Sequence, residues 1–232
     1  MRLPDDPQAL AAALPDEPRW IETRSLLHGD CILRVSADGQ GAVALDKELE
    51  SGTLIGRADP SLLGETLAEV APNFELLVQV DALEQARQAL PGWTVALVVV
   101  HRLPSRYAGE PTRPGVRIAV PPEPRWFEGL PEDFQYAATA HAAAVQLVDG
   151  AVVAVCAAGD VTETLWDVGI DTLKDHRRNG YAVACFHALA TAMAAQGRQP
   201  VWCAYADYPP SIELAAKLGF RPVDQVIVLT RP

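Results

Sequence analysis

The densest concentration of reactive side chains in this sequence is the stretch Asp171-Thr172-Leu173-Lys174-Asp175-His176-Arg177-Arg178-Asn179-Gly180-Tyr181-Ala182. Gly180 permits a backbone turn that other residues adopt only with strain, and Ala182 leaves the start of a following helix uncrowded. The free amides of a first helical turn point outward with the positive end of the helix dipole. Arg177 and Arg178 add fixed charge with bidentate geometry, so a diphosphate laid across Arg177 to Ala182 would meet amides and guanidinium groups together. The loop taken alone also fits an arginine-rich solvated turn before a helix. The four cysteines, Cys31, Cys156, Cys185 and Cys203, fall singly, with no CxxC pair and no histidine at ligand spacing. Neither a metal site nor a disulfide framework is indicated, and a reducing cytoplasm is the expected compartment. His141 and His176 read as ordinary polar residues.

The elements that must position this loop follow from periodicity. Leu165 to Ile170 reads as a strand leading into it. Ala182 to Gln196 is the best helix in the sequence, with Val183, Phe186, Leu189, Ala190 and Met193 at helical spacing and Gly197 as its stop. Val201 to Ala204 is a short strand, Ser211 is expected to cap a helix Ile212 to Leu218 that ends at Gly219, and Val226 to Leu229 is a final strand. Upstream, Ala142 to Val148 and Ala151 to Ala157 are apolar runs joined through Asp149-Gly150, a strong hairpin signal. Pro104, Pro111, Pro114, Pro121, Pro122, Pro124 and Pro131 break a connector that also carries Arg102, Arg106, Arg113, Arg117 and Arg125, and within it only Val116 to Val120 can be a strand. A boundary near Glu110 divides the chain into domains 1–110 and 111–232. The amino-terminal domain alternates: strands Cys31 to Val35 and Ala42 to Leu45, helix Pro60 to Val70, strand Phe74 to Val80, helix Ala82 to Leu90, then strand Thr94 to His101 after Pro91-Gly92.

Arg177-x-x-Gly180-x-Ala182 after the strand Trp166-Asp167-Val168-Gly169-Ile170, then a long helix, a short strand and Ser211-x-x-Leu214-x-x-Lys217-Leu218-Gly219-Phe220, resembles the GNAT superfamily of acyl-CoA-dependent N-acyltransferases. The resemblance runs from about Ala137 to Leu229. A Rossmann reading has no comparable support, because there is no GxGxxG. The resemblance implies an α/β (α+β) fold with a mixed, splayed sheet flanked by helices, and an N-acetyltransferase that moves an acetyl group from acetyl-CoA directly to a small or protein amine. It implies that the backbone of Val168, Gly169 and Ile170 pairs with the pantetheine arm, and that Arg177, Arg178, Asn179, Gly180, Tyr181 and Ala182 hold the pyrophosphate. Asp207 stands where an asparagine usually contacts the cofactor before the next helix, and a carboxylate there can accept a hydrogen bond but not donate one. Ser211 completes the implied cofactor-binding set. The tyrosine that usually protonates the leaving thiolate is replaced by Ala215, so Tyr205 or Tyr208 is the substitute acid. Glu163 is the preferred base, as the carboxylate expected at the open end of the cleft, with Asp167 the other candidate. Direct transfer leaves Cys156, Cys185 and Cys203 as small buried residues. The competing reading is a non-catalytic acyl-CoA-binding regulatory module.

Composition limits the partners. With 19 basic and 30 acidic residues the formal charge is −11 and the pI about 4.8, which repels phosphate backbones and argues against nucleic acid. The longest apolar runs, Val95 to Val100 and Ala151 to Ala158, fall well short of the roughly 20 residues of a spanning helix, so no membrane partner is expected. The amino-terminal half repeats the strand, helix, strand, helix, break, strand order of Leu165 to Leu229. It is expected to be either a degenerate copy of the same fold or an unrelated α/β cap. Asp59 before its first helix opposes a pyrophosphate, so no CoA is expected there.

Overall fold

The computed structural model describes residues 2–57, 59–109 and 111–232. Glu110, where the sequence suggests a boundary, lies outside the described residues. The chain forms two compact units. The first comprises residues 1–100, 204–213 and 222–232, and the second comprises residues 101–203 and 214–221.

In the first unit, helices α1 (Pro7–Ala13) and α2 (Ile21–His28) precede strands β1 (Ile32–Val35), β2 (Gly41–Leu45) and β3 (Ser51–Gly56). Helix α3 (Pro60–Thr66), strand β4 (Glu75–Gln79), helix α4 (Leu83–Ala89) and strand β5 (Thr94–Arg102) follow. Strands β1, β2 and β3 are antiparallel neighbours, and β3 runs parallel to β4, with Ser51 to Leu54 opposite Glu75 to Val78. All five residues of β2 are buried because the sheet is covered on both faces. Ala42, Ala44 and Ile55 pack with Leu10, Ala11 and Leu27 of the first two helices, whereas Val43, Leu45 and Leu54 pack with Leu62, Leu63 and Ala86 of the next two. This two-sided burial hides β3 from a sequence reading, since its short run Leu54-Ile55 between glycines shows no alternation.

The second unit contains β6 (Val116–Ala119), a 3-10 helix Glu132–Ala138, β7 (Ala142–Val148), β8 (Ala151–Val161), β9 (Leu165–Thr172), α5 (Tyr181–Ala195) and most of β10 (Gln199–Tyr205). The chain then forms α6 (Pro209–Lys217), whose first residues belong to the first unit and whose last belong to the second, and β11 (Arg221–Thr230), which from residue 222 belongs to the first unit. The order β10-β9-β8-β7-β6 puts β6 at an edge, where a proline-flanked strand is tolerated. Asp149 and Gly150 have φ of 51° and 84°, so the hairpin turn is of the mirror-image kind the dipeptide favours. One sheet face carries Val145, Val155 and Ala157 against Phe127, Phe134 and Ala137, which locks the 3-10 helix in place. On the other, Trp166 stacks on Phe186 of α5 with centroids 6.3 Å apart, and Phe220 meets both Phe186 and Trp202 edge-on. Strand β11 lies between β4 and β5 and is antiparallel to β4. Helix α6 begins at Pro209, so Ser211 sits inside the first turn and is not the cap. The fixed φ of proline suits the first helical position and starts the helix earlier.

Among the described residues no helix is long and apolar enough to cross a membrane, and no group of three or more His, Cys, Asp or Glu could hold a metal ion.

Candidate active site

The site begins where two strands part. Strands β9 and β10 are parallel partners over only Leu165, Trp166 and Asp167, opposite Gln199, Pro200 and Val201. Both strands continue beyond this point, yet the ladder does not. Strand β9 keeps its other edge paired with β8 as far as Thr172 opposite Ala154. The edge of Val168, Gly169, Ile170, Asp171 and Thr172 that faces away from β8 therefore has no ladder partner, which is what a third extended chain would need.

Asp167 is the last paired residue and its carboxylate fills the apex. It is held by the backbone N–H groups of Val168 and Cys203 and by the Cys203 thiol, while Oδ1 is sealed from solvent without a hydrogen-bond partner. Burial pushes its pKa up to about 7, with Asp160 adding to the rise. Asp167, Gly169 and Asp171 share one face of β9, since alternate strand residues do. Tyr136 of the 3-10 helix covers that face. Its ring lies against Gly169, so close that a methyl group there would stand 3.1 Å from the hydroxyl and collide with the ring edge. The hydroxyl hydrogen-bonds Asp171, and burial, followed by the charge of Asp171, holds the phenol well above its usual range. Asp171 is itself raised to about 6 by burial, and Asp133 adds to the rise while the Tyr136 bond and Arg177 oppose it.

Strand β9 runs into the arginine loop at the open end of the fork. Gly180, at φ 77°, is the residue before α5, and its carbonyl accepts from Ala184 N. No side chain caps the amides that follow, and the first turn has no acid. Arg178 also adopts a positive φ of 64°. Arg177 Nε donates to the Thr172 carbonyl at 3.1 Å, tying the loop to the end of β9, and Asn179 Nδ2 donates to the carbonyls of His176 and Arg177. Asn179 is thus a brace of the turn. Arg113, which the sequence reading leaves in the connector, joins the loop: Nη1 donates to the Asn179 carbonyl at 3.1 Å and the guanidinium stands over the Tyr181 ring. Arg113 thus stands at the helix start, beside a loop that itself carries Arg177 and Arg178.

The structure thus brings together Asp167, Val168, Gly169, Ile170 and the residues from Arg177 to Ala182. Glu163 is placed differently from expectation. It lies in the exposed turn between β8 and β9, at the end where β9 is paired with β10, and the fork opens at the other end because the ladder stops at Asp167. Tyr205, Asp207, Tyr208 and Ser211 belong to the first unit. There the Tyr205 hydroxyl points at Glu75 Oε1, 3.5 Å away, and burial with Glu75 and Glu22 nearby raises its pKa to about 12. Asp207 and Tyr208 are exposed. Ala215 is fully buried in α6. Cys156 and Cys185 are buried as expected, whereas Cys203 is only partly so. Arg113 could have been found from the arginines of its segment. Tyr136 had no local signal, because its partner Gly169 is distant in sequence.

Residues 130–229 match the family model described as GNAT acetyltransferase. The carboxy-terminal half carries a GNAT domain. The fold likeness extends further. A GCN5-related N-acetyltransferase-like protein from Streptococcus suis superposes with a TM-score of 0.70 at 19% identity, covering 96% of both chains. A GNAT-family protein from Novosphingobium aromaticivorans gives 0.64 at 18% identity, covering 93% of this chain and 96% of its own. A tandem GNAT protein of the clavulanic acid biosynthesis pathway gives 0.57 at 15% identity, over 97% and 92% of the two chains. No curated protein is similar in sequence. The mixed, forked sheet flanked by helices is the GNAT fold.

Proposed function

We propose that this GNAT protein transfers an acetyl group from acetyl-CoA directly to an amine. The observation that carries the reading is the fork itself: an unpaired strand edge from Val168 to Thr172 leads into a loop that carries Arg177 and Arg178 and a helix start that Arg113 joins. An extended pantetheine arm supplies the missing ladder partner, and the pyrophosphate meets uncapped amides and guanidinium groups at the loop. The thioester then lies beside Asp167.

Asp167 is the base in this reading. A carboxyl that titrates near neutrality can take the proton of an ammonium at working pH and release it again, whereas an ordinary exposed carboxylate is too weak a base. Glu163 is a second candidate through its nearness in sequence, and Tyr205, Asp207 and Ser211 are candidates from the resemblance. The thiolate of CoA is a good leaving group, so the missing tyrosine at Ala215 removes a contribution of only about 10²-fold. The amino-terminal half, residues 1–110 as the sequence divides it, is proposed to be a copy of the fold that does not bind CoA. The single cysteines favour a cytoplasmic setting, and no nucleic acid is proposed as a partner.

The test is turnover of acetyl-CoA with a panel of small amines and amine-bearing peptides, read by release of free thiol. Amine-dependent release that disappears in Asp167→Asn, with acetyl-CoA affinity retained, supports the enzyme. Binding without turnover across the panel favours the regulatory module.

A further inference from the structure

Gly169 and Tyr136 are packed so tightly at the fork that no side chain fits between them, and this contact bears on the donor. The 3-10 helix Glu132–Ala138 cannot easily shift, since Phe134 and Ala137 are buried against Val145, Val155 and Ala157 of the sheet beneath. Its Tyr136 is pinned at both ends: the ring lies on the Gly169 backbone, and the hydroxyl is bonded to Asp171 two residues further along the same face. On the other side of Gly169 the apex is closed by the Asp167 carboxylate and Cys203. An acyl group whose thioester lies along Val168 to Ile170 therefore has the Asp167 carboxylate in front of it and the phenol ring above it. An acyl chain extended across that face of β9 meets the ring over Gly169, where even a Cβ would stand 3.0 Å from Cζ. Each added methylene must enter volume that the ring already fills, and close-packed interiors resist such insertion.

From this we infer that Tyr136 sets the acyl-chain length the site accepts, restricting the donor to acetyl and excluding longer acyl-CoA thioesters. The inference rests on the reading that acyl-CoA occupies the fork. Tyr136 acts here as a steric wall, and its bond to Asp171 serves only to hold the ring in place.

Calorimetry on the full chain with CoA, acetyl-CoA, butyryl-CoA and hexanoyl-CoA tests it without needing the acceptor. In the parent protein, acetyl-CoA is expected to bind at least as tightly as CoA, and hexanoyl-CoA about tenfold or more weakly than acetyl-CoA. Tyr136→Ala should bring hexanoyl-CoA within about threefold of acetyl-CoA, while Tyr136→Phe, which keeps the ring and loses only the hydroxyl, should preserve the discrimination. Tyr136→Val carries the expectation of the alanine variant if that protein does not fold. Equal affinities for all acyl chains in the parent protein, or an unchanged ratio in both truncations, overturns the assignment of Tyr136. If instead neither CoA nor any of its three thioesters binds, or Gly180→Val binds them all as the parent does, the fork reading itself fails.

Discussion

Two helix starts in this chain follow the same local plan, a strand, a glycine-bearing turn and a helix leading to a parallel partner strand, yet they treat negative charge in opposite ways. At the start of α3, the Asp59 carboxylate accepts from the backbone N–H groups of Ser61 and Leu62 at 2.8 and 3.2 Å. The helix supplies its own anion. At the start of α5, Gly180 has no side chain to offer, the amides are left uncapped, and Arg113 joins a loop that already carries Arg177 and Arg178. The preceding strands differ in the same sense. The parallel pair β3 and β4 is matched over four residues, four of the six in β3 and four of the five in β4, while β9 and β10 part after three and leave five residues of β9 open on one edge. One local plan is closed upon itself and the other is left unsatisfied, and unsatisfied backbone is what a ligand can complete.

The largest expected effect comes from closing the open member of the comparison. Gly180→Val forces a β-branched residue into the left-handed region beside Arg113 and should abolish acetyl-CoA binding in calorimetry while the circular dichroism spectrum stays that of the parent. The parent should bind one CoA per chain, and two would show that the α3 start is not closed.

Next in size is the apex. Asp167→Asn should slow amine acetylation by about 10²- to 10⁴-fold at neutral pH and remove a limb of the pH–rate profile near 7, whereas Glu163→Gln, at the paired end of β9, should cost less than about threefold. The same Asp167 substitution reports on stability. A carboxyl whose folded pKa is raised binds its proton more tightly when folded, so its contribution is present below about pH 4 and is lost as pH rises towards 7. Asp167→Asn should therefore raise the melting temperature at pH 8 relative to the parent and change it little at pH 4. An identical shift at both values would remove the titration from the explanation.

A smaller effect is expected from Arg113→Ala, which deletes one charge-assisted bond to the Asn179 carbonyl. Acetyl-CoA affinity should fall by about three- to tenfold, with a weaker salt dependence than in the parent. The smallest is Asp59→Ala. It removes the cap of α3, so chemical denaturation should register a loss of about 1 kcal/mol with CoA affinity unchanged. A measurable change in affinity would reopen the comparison.

Much of the open half was legible because its signals are local. Asp149-Gly150 fixes a hairpin, Gly197 and Gly219 at φ 84° and 91° stop two helices, and Gly180 adopts the left-handed turn that its position before a helix implied. What escaped depends on pairing at a distance. The sequence of β9 does not say where β10 will leave it, so Glu163 was expected at the open end when the ladder in fact stops at Asp167. Tyr136 was hidden for the same reason, and Arg113 because its proline-rich surroundings read as a mere connector. Helices α1 and α2 were missed because each is short and gains its stability from covering Ala42, Ala44 and Ile55 rather than from its own pattern.

The placement of β11 bears on how the chain reaches its folded state. The strand that separates β4 from β5 pairs Val226 with Gln79 and Leu229 with Leu76, and Ile227 and Leu229 enter the same core as Val43 and Leu54. On a ribosome, everything from α1 to β5 emerges well before its central strand does. Until then β4 presents a bare, apolar edge, the kind that other chains can pair with. Such late, long-range pairing raises contact order and slows folding. The first unit should accordingly be the last part of the molecule to become resistant to protease during synthesis, although it is the first to be made.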